Sequence, residues 1–226
     1  MKLDQGELPI FSIIIVGKFN PNIFHPSWFA LHQLISEEEI SQSKITISVD
    51  NVSIFRINWF DIEVTLDRFK ISTDQIAYFE LLRDLAVGIF ELLGHTPVRA
   101  LGMNFSAHFK IHNKKDQRSF LKKIYPLNFW DGILENPTFD KIILKDPINK
   151  SNLKRVVIEP SNKIDHGLFI ECNNHTDLDL IANNVWKDDQ KKNYVEALNA
   201  AALISNIYEN VYNDMNLFVE KFFNKR

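Results

Sequence analysis

One cysteine, seven histidines and a run of closely spaced lysines are the residues of this chain whose chemistry has to be weighed first. Cys172 and His175 stand in a Cys-x-x-His spacing, and a thiolate beside an imidazole is a nucleophile. At the two-residue period of a strand, however, Cys172 falls in the row of Leu168 and Ile170. That row faces a core, where a cysteine behaves as a small inert apolar group. His175, Asp177 and Asp179 then follow as an exposed polar loop. His108 and His112 are four apart, which on a strand separates them by roughly 13 Å. No single metal ion reaches both at ligand distances of about 2 Å. Glu80, Asp84 and Glu91 share one helical stripe, a pattern that could hold Mg²⁺ but is also the wet side of an otherwise buried helix. The chain has no G-x-G-x-x-G, no P-loop and no G-x-S-x-G, and only 7 glycines from which to build a phosphate cradle. The residues therefore define no catalytic, cofactor-binding or metal-ligating set.

The densest chemistry is basic. Lys114, Lys115, Arg118, Lys122 and Lys123 cluster in ten residues, and Arg118 and Lys122 share a helical face. Phe120, Tyr125, Phe129 and Trp130 interleave with them. Cations with aromatics suit phosphates and stacked bases. Between Lys110 and Arg155 there are eleven basic and five acidic residues, a surplus of +6, so the remainder of this −3 chain carries −9. Such separated charge suits an acidic ligand, or a basic surface of one subunit docking on the acidic part of another. A solvated face with dispersed lysines is the plainer alternative.

Composition bounds the rest. The 226 residues are 45% hydrophobic with 18 Phe and 4 Trp, enough for a packed interior, and 24% charged. The apolar run Ile10–Val16 is too short to span a membrane, and Asp4 and Glu7 stand where a secretory signal would be positive. A single cysteine permits no internal disulfide. These features lead us to expect a cytoplasmic protein without membrane contact; the richness in Lys, Asn and Ile points to an AT-rich bacterial genome.

The elements that must position these residues form a pattern that runs twice, over 10–93 and 98–223. Ile10–Val16 reads as a strand buried on both faces, Lys18–Asn22 as a turn, and Trp28–Ile35 as a short helix capped by Ser27. Glu37, Glu38 and Glu39 read as an exposed connection. Half-buried strands are expected at 45–49, 52–58 and 60–66, with Phe69 and Ile71 extending the last or adding one. Ser72 and Gln75 match a capping box ahead of a helix over 73–93, apolar around most of its circumference and ended by Gly94 and Pro97. The second pass gives a strand over 98–111, a basic helix over 117–124, strands at 139–145, 153–159 and 167–173, and a closing helix over 189–223. The fold class is α+β, with antiparallel sheets covered by long helices. Residues 1–97 and 98–226 form two pseudo-repeated strand–helix–three-strand–long-helix halves of one fused unit.

The segment Val16-Gly17-Lys18-Phe19-Asn20-Pro21-Asn22-Ile23-Phe24-His25-Pro26-Ser27-Trp28-Phe29, with Val98-Arg99-Ala100-Leu101-Gly102-Met103-Asn104-Phe105 later, resembles a poorly characterised group of bacterial proteins. They are of about this length and sporadically distributed, some beside mobile-element or phage-defence genes. The resemblance implies a bacterial accessory protein. In architecture, the duplicated unit is similar to the saddle of TATA-box binding proteins, although fold analogy does not transfer function. The leading expectation is a non-enzymatic protein-binding or scaffold subunit of a defence or toxin-linked system. Its partner is another subunit or a second copy of the chain, as a homodimer. The alternatives are a nucleic-acid-binding module using the Lys110–Arg155 segment, and a metal-assisted hydrolase using Glu80, Asp84 or the His175–Asp179 loop. No cofactor is expected.

Overall fold

The computed structural model describes residues 3–125, 127–179, 181 and 199–224. Its centre is one antiparallel sheet of nine strands: β1 (Glu7–Gly17), β2 (Lys44–Val49), β3 (Val52–Ile57), β4 (Phe60–Thr65), β5 (Arg68–Thr73), β6 (Val98–Lys110), β7 (Ile142–Pro147), β8 (Asn152–Pro160) and β9 (Gly167–Asp177). Across the sheet the order is β2-β3-β4-β5-β1-β6-β9-β8-β7, so β1 and β6 pair in the middle. Among the described residues five α-helices accompany it: α1 (Pro26–Leu31), α2 (Glu37–Ser41), α3 (Phe79–Leu92), α4 (Lys114–Ile124) and α5 (Ala200–Asn224). The closing helix expected to begin at 189 is described from Ala200 onward; 189–198 lie outside the described residues.

Strand alternation decides which face is packed. Phe11, Ile13 and Ile15 stand opposite Phe105, Met103 and Leu101, and all six are buried. Beyond β6 the same row continues through Cys172 and Ile170 to Val156 and Ile158. Helices α3 and α5 lie on this face: the Phe11 ring stacks on Phe105 at 4.4 Å and meets Phe79 of α3 at 5.4 Å and Tyr208 of α5 at 5.5 Å. The two helices also touch, with the Arg83 guanidinium 4.8 Å over the Tyr208 ring. Helix α1 fills the outer part of the same face through Phe29 against Phe55 and Phe60. Phe120 of α4 packs on Phe222 and Phe223 near the end of α5.

The opposite face carries Ser12, Ser72, Asn104, Asn173 and a ladder of ion pairs. This corrects the reading of β1 as buried on both sides: Ile10 and Val16 point to the polar face and are exposed. Continuous apolar character in Ile10–Val16 mimics a two-sided core strand although the described helices α1, α3 and α5 pack on one side.

Other expectations shift for local reasons. Ser27 does not cap α1; Pro26 occupies its first turn and His25 is the cap, its Nδ1 accepting from the Ser27 N–H at 3.3 Å. The acidic connection is helix α2, whose cap Ser36 and Glu39 form a capping box. The Ser72–Gln75 box does not form. Ser72 is buried within β5, and Thr73, the last residue of that strand, instead donates its hydroxyl to the Trp59 carbonyl at 2.6 Å. A 3₁₀ turn, Ile76–Tyr78, therefore precedes α3, which at 14 residues is about 21 Å long. Leu81 and Leu92 on α3 remain exposed, so its circumference is not all packed. β2, the edge strand of the sheet, is exposed at all six positions rather than half-buried.

Candidate functional site

The five basic residues singled out by spacing are placed together on α4. Asn113 caps the helix, accepting from the Asp116 N–H at 2.9 Å. Phe120 and Leu121 are its buried side, and Gln117 donates to the Gly167 carbonyl at 2.8 Å, fixing its roll against the end of β9. With those contacts set, Lys114, Lys115, Arg118, Lys122 and Lys123 all face solvent. Among the described residues none of the five joins an ion pair. Lys122 and Lys123 lie in the last turn, where the helix dipole favours cations.

The chain then turns through a 3₁₀ helix, Leu127–Trp130, steadied by Trp130 Nε1 donating to the Tyr125 hydroxyl at 3.1 Å. Beyond that anchor the side chains point away from the core. Phe129 is 70% exposed, Ile133 65% and Leu134 51%. A basic helix is thus followed at once by three bare apolar groups. The sequence showed the cations and Phe129; Ile133 and Leu134 were passed over because a stretch rich in Asn, Asp, Gly and Pro reads only as a loop.

A shallow cleft of about 270 Å³ runs along α4, lined by Ile111, His112, Asp116, Ser119, Phe120 and Lys123. His112 and Lys123 supply donors there, Asp116 an acceptor, and Phe120 a ring wall.

The polar sheet face differs. Arg56 pairs with Asp61 at 3.0 Å and Asp74 at 3.2 Å, Lys70 with Glu63 at 3.9 Å, Arg155 with Glu171 at 3.3 Å, and Lys141 with Glu159 at 2.6 Å. Burial raises the pKa of Asp61, and Asp74 adds to this while Arg56 opposes it. Charges of this face largely satisfy one another, so it is not the uniformly positive surface that grips a phosphate backbone.

The remaining candidates are not brought together. Cys172 is fully buried, and burial pushes its thiol up to about 12, far from the thiolate a nucleophile needs. His175 lies on the polar face opposite Gly102, and Asp179 pairs with Arg99 at 3.1 Å. Asp84 is held by Arg83 at 2.8 Å. Among the described residues no group of three His, Cys, Asp or Glu side chains is disposed to hold a metal ion.

His108 has a defined environment instead. Its Nδ1 lies 2.8 Å from Ser161 Oγ, which already accepts from the Lys163 and Ile164 N–H groups at 3.1 and 2.8 Å. The hydroxyl proton is therefore directed to Nδ1, leaving the imidazole neutral. Burial, with Lys163 nearby, lowers the His108 pKa, while Glu159 and Glu7 oppose the shift. His108 thus pins the β8–β9 connection to the polar face.

The chain matches no family model and no curated protein. No helix among the described residues is long and apolar enough to cross a membrane.

Proposed function

We propose that this protein is a non-enzymatic binding subunit that docks an acidic protein surface through α4 and the turn that follows it. The observation that carries the reading is the adjacency of five exposed cations, none in an ion pair with a described residue, and three bare apolar side chains, Phe129, Ile133 and Leu134. A protein interface combines an aromatic or aliphatic anchor with a charged rim that steers approach. Ile133 and Leu134 favour a protein over a nucleic acid, because bases stack on rings and not on aliphatic chains. A second copy of the chain meets the same requirement, since the sequence outside 110–155 carries −9. The bacterial accessory setting, defence or toxin-linked, rests on the resemblance of the Val16–Phe29 segment.

The fold gives this reading a frame. β1, β5 and β4 flank the midline as β6, β9 and β8 do, with α1 and α4 after the first strand of each half and α3 and α5 closing them. We read this as two copies of one unit, the first holding the extra edge strand β2. On that reading α4 is the counterpart of α1, and charge accumulated on one copy only.

The competing nucleic-acid reading is favoured by Phe129 and Trp130 beside the cations. Salt titration separates them. Partner binding with a protein falls modestly with salt, whereas binding through five phosphate contacts falls by orders of magnitude between 50 and 200 mM, on the order of 10²–10³-fold. Phe129→Ala is expected to weaken protein binding roughly tenfold or more, as truncation of an interface anchor does. A fall of that size with salt, together with loss of binding in Lys122→Glu/Lys123→Glu, would transfer the surface to nucleic acid.

A further inference from the structure

Two residues along β9 from Cys172, the covered face of the strand turns from apolar to polar. Asn174 stands opposite Met103 on one side and Lys154 on the other, and is 9% exposed. Its Nδ2 is the one buried side-chain nitrogen or oxygen among the described residues without a hydrogen-bond partner. A buried amide donor left unpaired costs stability, and such a group in a folded protein calls for a reason. The residue borders a cleft of about 280 Å³ between the β8–β9 end and α5. Ile148, Leu153, Ile207 and Val211 make its apolar walls, and Asp214 stands at its side.

Charge there is already balanced. Lys154 Nζ lies 3.6 Å from Asp214 Oδ2, and the lysine side chain is only 15% exposed. An anion is not required to neutralise the lysine, and a cation would compete with it for the carboxylate. No described residue places an acceptor within hydrogen-bond reach of Asn174 Nδ2, and Asp214 Oδ1 at the side of the cleft takes no hydrogen bond from a described residue. The volume exceeds that of one water molecule, whose share of liquid is about 30 Å³.

We infer that this cleft is a binding site for an amide group, whose carbonyl accepts from Asn174 and whose N–H donates to Asp214 while its carbon chain lies against Leu153, Ile207 and Val211. The amide has two sources, a glutamine or asparagine side chain and a peptide bond. The cleft shares no residue with the α4 surface, so this inference and the proposed function fail independently.

The test follows the side-chain ¹H–¹⁵N signals of Asn174 in the whole protein during titration with three probes. Propionamide represents a side-chain carboxamide, N-methylacetamide a peptide bond, and propionate a carboxylate of the same shape as propionamide without N–H donors. Saturable shifts of the Asn174 signals by one or both amides, with propionate silent, are expected, and the stronger amide names the source. Asn174→Leu removes the orphan donor; it is expected to unfold at a higher temperature than the parent and to abolish the response of backbone signals at Leu153 and Val211. Ile207→Trp, which fills the mouth from a half-exposed position, is expected to abolish the response with Asn174 intact. Silence of both amides, an equal response to propionate, or a response surviving Asn174→Leu would each overturn the inference.

Discussion

At the residue scale, burial sorts the chemistry-bearing side chains into inert and exposed. Cys172 was legible from its place in the Leu168–Ile170 row, and the structure buries it fully. Its thiol is expected to react with a disulfide reagent only when the protein opens, so the rate should rise with denaturant in step with unfolding. A native rate near that of free cysteine would contradict the packing. His108 was read only as one of two outward histidines, because its partner Ser161 lies 53 residues away and no local pattern links them. Its lowered folded pKa means that the unfolded chain takes up the proton first. Stability is therefore unaffected well above pH 6.5 and falls as pH drops through 6.5 toward the folded value. Denaturation of the parent and of His108→Gln at several pH values checks this: the parent should lose more stability than the variant between pH 7 and 5. Equal losses would remove the histidine from the account.

Elements were legible where one physical signal dominated. Strict alternation in 60–66 and 105–111 marked β4 and the second half of β6, and the basic helix fell within α4. Elements were misread where local signals competed. The motif Ser36-x-x-Glu39 is a capping box as plain as Ser72-x-x-Gln75, yet only the former forms, since tertiary pairing draws Ser72 into β5. Glu39 also accepts from the Trp59 indole at 3.0 Å, tying α2 to the β3–β4 turn. Although partial burial raises the Glu39 pKa, hydrogen bonds from Trp59 and from the Ser36 backbone and hydroxyl outweigh it and lower it. Ser36→Ala should cost about 1 kcal/mol in chemical denaturation; no loss would mean that α2 is held by Trp59 alone. The end of β1 is tighter. A Cβ on Gly17 would come within 2.5 Å of the Pro97 carbonyl oxygen, which accepts from the Lys18 N–H at 2.9 Å. Gly17→Ala is expected to destabilise by about 1–3 kcal/mol, as overpacking against backbone does.

The whole molecule is organised by the pairing of β1 with β6, which joins the two sides of the sheet at its middle. Composition pointed to a packed interior, and the order of strand and helix patterns to an α+β protein. That β1 and β6 would be the strands at the centre was not legible, because their pairing depends on contacts about 90 residues apart that no local window contains. Phe105 sits at the seam, stacked on Phe11 and touching Phe79, Tyr208 and Tyr212. Phe105→Ala should cost about 3–5 kcal/mol, and amide exchange of β5 and β9 should accelerate together. Acceleration confined to β9 would show that the sides of the sheet unfold separately.

The same scale gives the functional claim its contrast, a sheet face whose ion pairs are mutual and a helix whose five cations face solvent. The most direct measurement is mass spectrometry of proteins retained from native-host extract after nuclease treatment, comparing the parent, Phe129→Ala, Lys122→Glu/Lys123→Glu and the sheet-face control Lys70→Glu. The account predicts one stoichiometric protein held by the parent and by Lys70→Glu and lost from both α4-surface variants. Retention of that protein by the α4-surface variants, or material released wholly by nuclease, would contradict it.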